Sequence, residues 1–200
     1  MKSKKQSYDR VAKVFDFLRK GDMRRWNKYQ KSLFKNLSGE VLYIGVGTGL
    51  EIINFPADLK ITAIDISPAM LRQSQKKAKS YPGKMSLCQM DAENSAFKNN
   101  SFDTVVTVCV LCTVKHPVAC LKEIKRVLKP NGKLVMFEHV LSKNLIYAIA
   151  LKTMSNFTEF LEGTYLDRNT AYNAEKAGFE IFSHKNVYLD IVKALMAKPL

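Results

Sequence analysis

Val41-Leu42-Tyr43-Ile44-Gly45-Val46-Gly47-Thr48-Gly49-Leu50-Glu51-Ile52-Ile53 is the stretch on which the fold turns. Four apolar residues run into glycines at alternate positions, and a helix pattern opens at once. A short, continuous apolar run reads as a parallel strand buried on both faces. Glycines at its end permit positive φ and let a ligand approach the backbone closely. Twenty residues after Gly45, a second run, Lys60-Ile61-Thr62-Ala63-Ile64, ends at Asp65. A carboxylate at that strand end can accept hydrogen bonds from both hydroxyls of a ribose. The glycine spacing is G-x-G-x-G with Leu50 next, whereas the dinucleotide fingerprint has a small residue there, which disfavours NAD.

Working outward, Ser67-Pro68 caps a helix through about Lys79. Met85 to Gln89 reads as a third strand ending near Asp91, and Val-rich Phe102 to Leu111 as a fourth. Pro117 to Leu128 is a predicted helix stopped by Pro130-Asn131-Gly132, followed by a fifth strand, Lys133 to Val140. Strands alternating with helices predict a parallel sheet covered on both faces. Leu145 to Leu161 reads as a helix apolar on most sides and Thr170 to Ala177 as another, closed by Gly178. The tail from Phe179 to Ala197 holds two strand-like runs joined near Val187 to Asp190. Before the sheet, Tyr8, Val11, Phe15 and Leu18 recur at helical spacing until Gly21-Asp22. Met23, Trp26, Leu33 and Leu37 then form a stripe opposite Arg24, Lys28, Lys31 and Lys35.

The 200 residues suit one domain. The net charge of +14 is the unusual bulk property. Residues 1–36 supply +9 of it, with twelve Lys and Arg against three Asp. Such a segment attracts an anionic membrane surface, nucleic acid or acidic substrates, or simply leaves lysines in water on a helix packed by its apolar stripe. No apolar run reaches the roughly 18 residues that span a bilayer. No apolar stretch follows Met1-Lys2-Ser3-Lys4-Lys5, so no signal peptide is expected. Cys88, Cys109, Cys112 and Cys120 lie inside apolar patterns, which fits a reducing cytoplasm better than disulfides. Cys109 and Cys112 have no second pair, so no metal site is expected.

The strand-end series continues with Asp91-Ala92-Glu93, where a carboxylate can accept from an adenine amino group. Ser101-Phe102-Asp103 then opens the fourth strand and Leu128-Lys129-Pro130-Asn131-Gly132 precedes the fifth. From Val41 to Val140 the chain resembles the class I S-adenosylmethionine-dependent methyltransferases. The resemblance implies an α/β, Rossmann-like, seven-stranded, mostly parallel sheet with an N-terminal helical cap and an antiparallel terminal hairpin. It implies S-adenosyl-L-methionine as cofactor, with Gly45, Val46, Gly47 and Gly49 around the methionine moiety and Asp65 on the ribose. Ile66 and Met70 would border the adenine and Asp91 with Ala92 read its edge; Tyr8 and Cys109 complete the implied cofactor set. One departure stands out: such families carry an acidic residue two places before the first glycine, and here it is Tyr43.

A closer resemblance covers nearly the whole chain. Tyr8 to Asp16 is similar to the cofactor-covering N-terminal helix of the quinone and phosphatidylethanolamine methyltransferases. Leu111-Cys112-Thr113-Val114, Arg126 to Pro130, and Phe137-Glu138-His139-Val140 are similar to the bacterial phospholipid N-methyltransferases and to membrane-associated thiol methyltransferases. Glu162-Gly163-Thr164-Tyr165-Leu166-Asp167-Arg168 resembles an Asp-Gly-Cys-x-Leu-x-Arg block of the latter, with Thr164 in place of cysteine. The implied division is 1–38 as amphipathic helices, 39–140 as cofactor core, and 141–200 as acceptor-side helices and hairpin. A methyl sulfonium is already activated, so the chemistry is in-line displacement, with a base where the acceptor must lose a proton. Glu138, His139 and Tyr165 are the catalytic candidates, with His116 a weaker one; His184 reads as surface.

The acceptor expected is the amine head group of phosphatidylethanolamine or a partly methylated form, at an anionic membrane surface. The expected place is the cytoplasm, peripheral on the inner membrane face. Quinone carbon methylation and a small hydrophobic amine or thiol are the alternatives, and a binder that transfers nothing is the non-enzyme rival. Nucleic acid is disfavoured, since no Asn-Pro-Pro-aromatic block is present.

Overall fold

The computed structural model describes residues 8, 9, 12, 14–162 and 164–200. Val11, Gly163 and the side chains of Leu18, Met23, Phe157, Phe160 and Leu161 lie outside this description. The elements are α1 (Phe15–Leu18), α2 (Lys20–Phe34), β1 (Glu40–Ile44), β2 (Lys60–Asp65), α3 (Pro68–Lys79), β3 (Lys84–Gln89), β4 (Phe102–Val108), α4 (Pro117–Val127), β5 (Leu128–His139), α5 (Leu145–Glu162), α6 (Thr170–Lys176), β6 (Phe179–Tyr188) and β7 (Val192–Pro199). The strands form one seven-stranded sheet in the order β3-β2-β1-β4-β5-β7-β6. β1 to β5 run parallel, and β7 pairs antiparallel with both β5 and β6.

Alternation along each strand divides the core. Leu42 and Ile44 of β1 face a layer built by Leu121, Ile124 and Ala174 of α4 and α6. Val41 and Tyr43 face the other layer, with Trp26, Phe34, Leu37 and Leu71. Each fully buried large apolar side chain contributes roughly 1.5–3 kcal/mol, so both helical layers are needed to close the sheet. Trp26 and Leu37 are buried and Leu33 packs partly against them, while Arg24, Lys28, Lys31 and Lys35 are exposed. The apolar stripe of α2 thus faces protein, not a membrane.

Three boundaries differ from the sequence reading. Leu50–Asn54 is a single 3-10 turn rather than an α-helix, and it starts from Gly49 in the left-handed region. β4 stops at Val108 because Cys109 turns to φ 52. β5 begins at Leu128, four residues before Gly132, with an irregularity in its register against Phe102 and Thr104. A Cβ at Gly132 would lie 2.9 Å from the Lys129 carbonyl oxygen, so only glycine fits that bulge.

Candidate active site

The strand order reverses at β1, between β2 and β4, and open α/β sheets bind ligands outside the carboxyl ends of strands at such a point. A cavity of about 340 Å³ lies there. Its walls come from the ends of β1 (Ile44 to Gly47), β2 (Ile64 to Ile66), β3 (Met90 to Glu93), β4 (Val108 to Val110) and β5 (Phe137, His139). Of the expected cofactor residues, Tyr8, Gly45, Val46, Gly47, Asp65, Ile66, Met70, Asp91, Ala92 and Cys109 all line it.

The glycine turn is tied to β2 by Gly45 and Val46, whose N–H groups donate to the Ile64 carbonyl at 2.8 and 3.0 Å. Gly47 has φ 54, and a Cβ there would meet nothing nearer than the Gly45 carbonyl oxygen at 4.0 Å. The space above it is open cavity. Gly49, expected beside the methionine moiety, is not on the cavity wall. A Cβ there would press on Ile52 at 2.8 Å and Ser74 at 3.1 Å, so this glycine lets the 3-10 turn pack on α3.

Asp65 is held from both sides. Its Oδ2 accepts from the Gly47 N–H at 2.8 Å and its Oδ1 from the Ser67 N–H at 2.9 Å. The Ile66 N–H also bonds to this carboxylate, which with about four lone-pair sites keeps acceptor capacity for a ribose hydroxyl. Desolvation raises the pKa of Asp65 while these N–H groups oppose it. Asp91 accepts from the Glu93 N–H at 2.9 Å, and Glu93 accepts from Lys115 and His116 N–H at 2.7 and 3.0 Å. This braces the rim after β3 against the β4–α4 loop. His116 is exposed and off the cavity wall, and His184 is exposed on β6.

The N-terminal segment closes the site. Asp9 accepts from the Ser67 hydroxyl at 2.6 Å and the Ala69 N–H at 3.1 Å, and Asp16 pairs with Lys77 at 2.7 Å. Tyr8, Phe15 and Arg19 are thereby set into the cavity wall. Burial pushes the Tyr8 hydroxyl up to about 12, while hydrogen bonds to the Thr164 and Thr113 side chains act against it.

Two catalytic candidates sit elsewhere. Phe137 and His139 line the cavity, so Glu138 between them points through the opposite face of β5. Its fully buried carboxylate accepts from the Val110 and Leu111 N–H groups at 3.1 and 3.2 Å, shaping the loop after β4. The Tyr165 ring lies beneath the Arg168 guanidinium at 4.1 Å, and its N–H donates to the Cys112 carbonyl at 2.7 Å. Tyr165 is off the cavity wall; its neighbour Thr164 is on it. His139 is the one of the three that lines the cavity.

Sequence reasoning did not single out Phe15, Arg19, Gln30, Glu51, Lys115 or Thr164 as cavity residues. The signal available for Glu51 was the missing acid at position 43, eight residues earlier. Cys109 and Cys112 are not joined in a disulfide, and the Cys112 thiol donates to the Cys109 carbonyl at 3.3 Å. Among the described residues no His, Cys, Asp and Glu cluster is arranged to hold a metal ion.

A Methyltransferase domain family model matches residues 42–136. The ubiquinone/menaquinone biosynthesis C-methyltransferase UbiE of Geotalea daltonii is 32% identical over 165 residues, covering 74% of this chain and 70% of that protein. The thiol S-methyltransferase TMT1B of Rattus norvegicus is 31% identical over 72% of this chain, and the phosphatidylethanolamine N-methyltransferase of Cereibacter sphaeroides 32% over 62%. The matched stretch spans 62% of each of the latter two. A SAM-dependent methyltransferase from Thermotoga maritima, 19% identical, superposes with a TM-score of 0.72 over 98% of this chain and 99% of its own.

The chain belongs to the class I S-adenosylmethionine-dependent methyltransferases, and S-adenosyl-L-methionine is its cofactor. The residues present fit that molecule: there is open space over Gly47, and the Asp65 carboxylate lines the cavity with acceptor capacity left.

Proposed function

We propose that this methyltransferase alkylates the amine head group of phosphatidylethanolamine or a partly methylated form at a membrane surface. The observation that carries this reading is an exposed apolar rim beside the cavity. Leu145 and Ile146, at the start of α5, are 74% and 75% exposed, and Leu189 in the β6–β7 turn is 48% exposed. Asp190 joins the two segments, accepting from the Ser142 hydroxyl and the Lys143 N–H at 2.6 Å each. Tyr188, the last residue of β6, meets Trp26 edge-on at 5.8 Å, with Arg25 5.3 Å over both rings. Trp26 lines the cavity, so the rim leads to the site. Exposed apolar residues interspersed with cations suit an anionic bilayer, where each basic residue contributes about 1 kcal/mol.

Within this reading residues 1–38 cover the cofactor, 39–140 hold it and 141–200 face the acceptor. Gly45, Val46 and Gly47 present backbone to the methionine end. Asp65 takes the ribose, Ile66 and Met70 flank the adenine, and Asp91 and Ala92 face its edge. Tyr8 and Cys109 close the two sides. When bound, the cofactor supplies an electrophilic methyl group. Tyr8, Phe15, Trp26 and Phe137 line the cavity, where aromatic side chains keep water from the line of transfer and suit a cationic ammonium product. In this reading His139, on the cavity wall, takes the proton that the attacking amine must lose. Glu138 and Tyr165 act through the loops they hold and touch no reacting atom.

The test is incubation with labelled S-adenosylmethionine and vesicles of phosphatidylethanolamine mixed with an anionic lipid, with quinone-pool and thiol arms in parallel. Labelled N-methylated lipid is expected, with vesicle binding that weakens at high salt. Label confined to another arm would overturn the lipid reading. Quinone carbon methylation is the second reading, supported by the longer match to UbiE and the aromatic wall of Trp26 and Phe137.

A further inference from the structure

Tyr43 stands two places before Gly45, where the resembling families carry a carboxylate. Its ring is fully buried under β1, and its hydroxyl donates to Glu51 Oε2 at 3.2 Å. Glu51 belongs to the 3-10 turn after Gly49, and it lines the cavity with Gly45, Val46 and Gly47. Arg19, between α1 and α2, lines the cavity too and lies near enough to Glu51 to favour its charged form against the desolvation that disfavours it.

The sheet order fixes which part of the cofactor lies here. Asp91 follows β3 and Asp65 ends β2, so adenine and ribose lie over those strands. The rest of an extended molecule then runs over β1 toward β4. The Tyr43–Glu51 pair marks the β1 station, and with Arg19 it offers one negative and one positive side chain on the cavity wall. A free amino-acid end is a zwitterion that needs both. A carboxylate serving the core alone is also costly to desolvate, and an ammonium partner offsets that cost.

We propose that Glu51 is the carboxylate that receives the methionine ammonium of the cofactor, with Tyr43 aligning it and Arg19 facing the methionine carboxylate. The acid that the class carries on β1 has moved to the next element, and the tyrosine in its place reaches across to orient the substitute. Glu51 is a binding residue, and Tyr43 a positioning residue.

Calorimetry with two ligands tests this without turnover and independently of the acceptor. S-adenosylhomocysteine carries the amino-acid end; 5′-methylthioadenosine lacks it. Glu51→Gln, nearly isosteric, is expected to weaken S-adenosylhomocysteine roughly ten- to hundredfold. It should leave 5′-methylthioadenosine within about twofold, the range of a side chain that does not touch the ligand. Tyr43→Phe keeps the carboxylate but releases it, and should show the same selective loss at a few-fold level. Arg19→Gln should weaken S-adenosylhomocysteine and spare an amine analogue without the carboxylate. Thermal melting of each ligand-free variant confirms folding. Equal losses for both adenosyl ligands, or an unchanged affinity of Glu51→Gln for S-adenosylhomocysteine, would overturn the proposal.

Discussion

At the residue scale, Glu138 shows how a strand assigns its side chains. Burial pushes its carboxyl from the ordinary 4.5 up to about 7, against the pull of backbone N–H donors. The folded chain therefore binds this proton more tightly than the unfolded chain. Its contribution to stability is full below about pH 4.5 and is lost as pH rises through about 7, an effect of about 3 kcal/mol. Glutamine there has no proton to lose. Denaturant titrations from pH 4.5 to 8 should show the stability difference moving in favour of Glu138→Gln by about that amount. A pH-independent difference would mean the carboxyl titrates as in the unfolded chain. Asp65 makes a second prediction at this scale. Asp65→Ala should weaken S-adenosylhomocysteine and 5′-methylthioadenosine alike, by roughly 1–3 kcal/mol, because both carry the ribose. Calorimetric affinities equal to those of the native chain would remove Asp65 from the site.

At the element scale, the N-terminal segment is fastened to α3 by carboxylates. Ser67 caps α3 by accepting from the Met70 N–H, and Asp9 takes the Ala69 N–H beside it. A negative charge at a helix N-terminus is favourable, and the Asp16–Lys77 pair adds a second, half-exposed tie. Removing a cap of this kind costs about 1 kcal/mol. Asp9→Ala should leave global melting within about that range. It should still lower affinity for S-adenosylhomocysteine several-fold and speed tryptic cleavage at Arg19 and Arg24, because Tyr8, Phe15 and Arg19 line the cavity only when the segment is seated. Saturating ligand should slow that cleavage in the native chain. Cleavage indifferent to both the substitution and the ligand would show that the segment is not a cover.

At the scale of the whole molecule, ligand binding and folding are coupled because the cavity is assembled from five strand ends and the N-terminal segment. S-adenosylhomocysteine at one hundred times its dissociation constant should stabilise the chain by about 2.7 kcal/mol, or roughly 5–10 °C in melting temperature. The absence of any shift in a thermal melt would contradict the site. Charge acts at this scale too. The basic side of α2 remains exposed while its apolar stripe packs on the core. Among the described residues no helix is long and apolar enough to cross a membrane. Under the proposed reading the apolar part of a bilayer contact is the rim around Leu145, Ile146 and Leu189, so Ile146→Glu should reduce vesicle sedimentation more than Lys31→Glu does. The opposite order would return the contact to α2.

The sequence by itself determined the alternating α/β order, the glycine turn after β1, and the carboxylates that end β2 and follow β3. Each is a local signal: a period of 2 or 3.6, a left-handed glycine, an acid at a strand end. The terminal hairpin and cap were legible through resemblance. What only the tertiary structure decided depends on which faces meet across the sheet. Trp26 belongs to the core and the cavity because α2 packs on β1 and β5. Glu138 turns away from the cavity because Phe137 and His139 on either side of it face in. Glu51 stands at the cavity wall because a 3-10 turn, not an α-helix, follows Gly49, and because Tyr43 reaches it from the neighbouring strand. Periodicity places a residue on an element, but the choice of side is made by long-range packing that no local window contains.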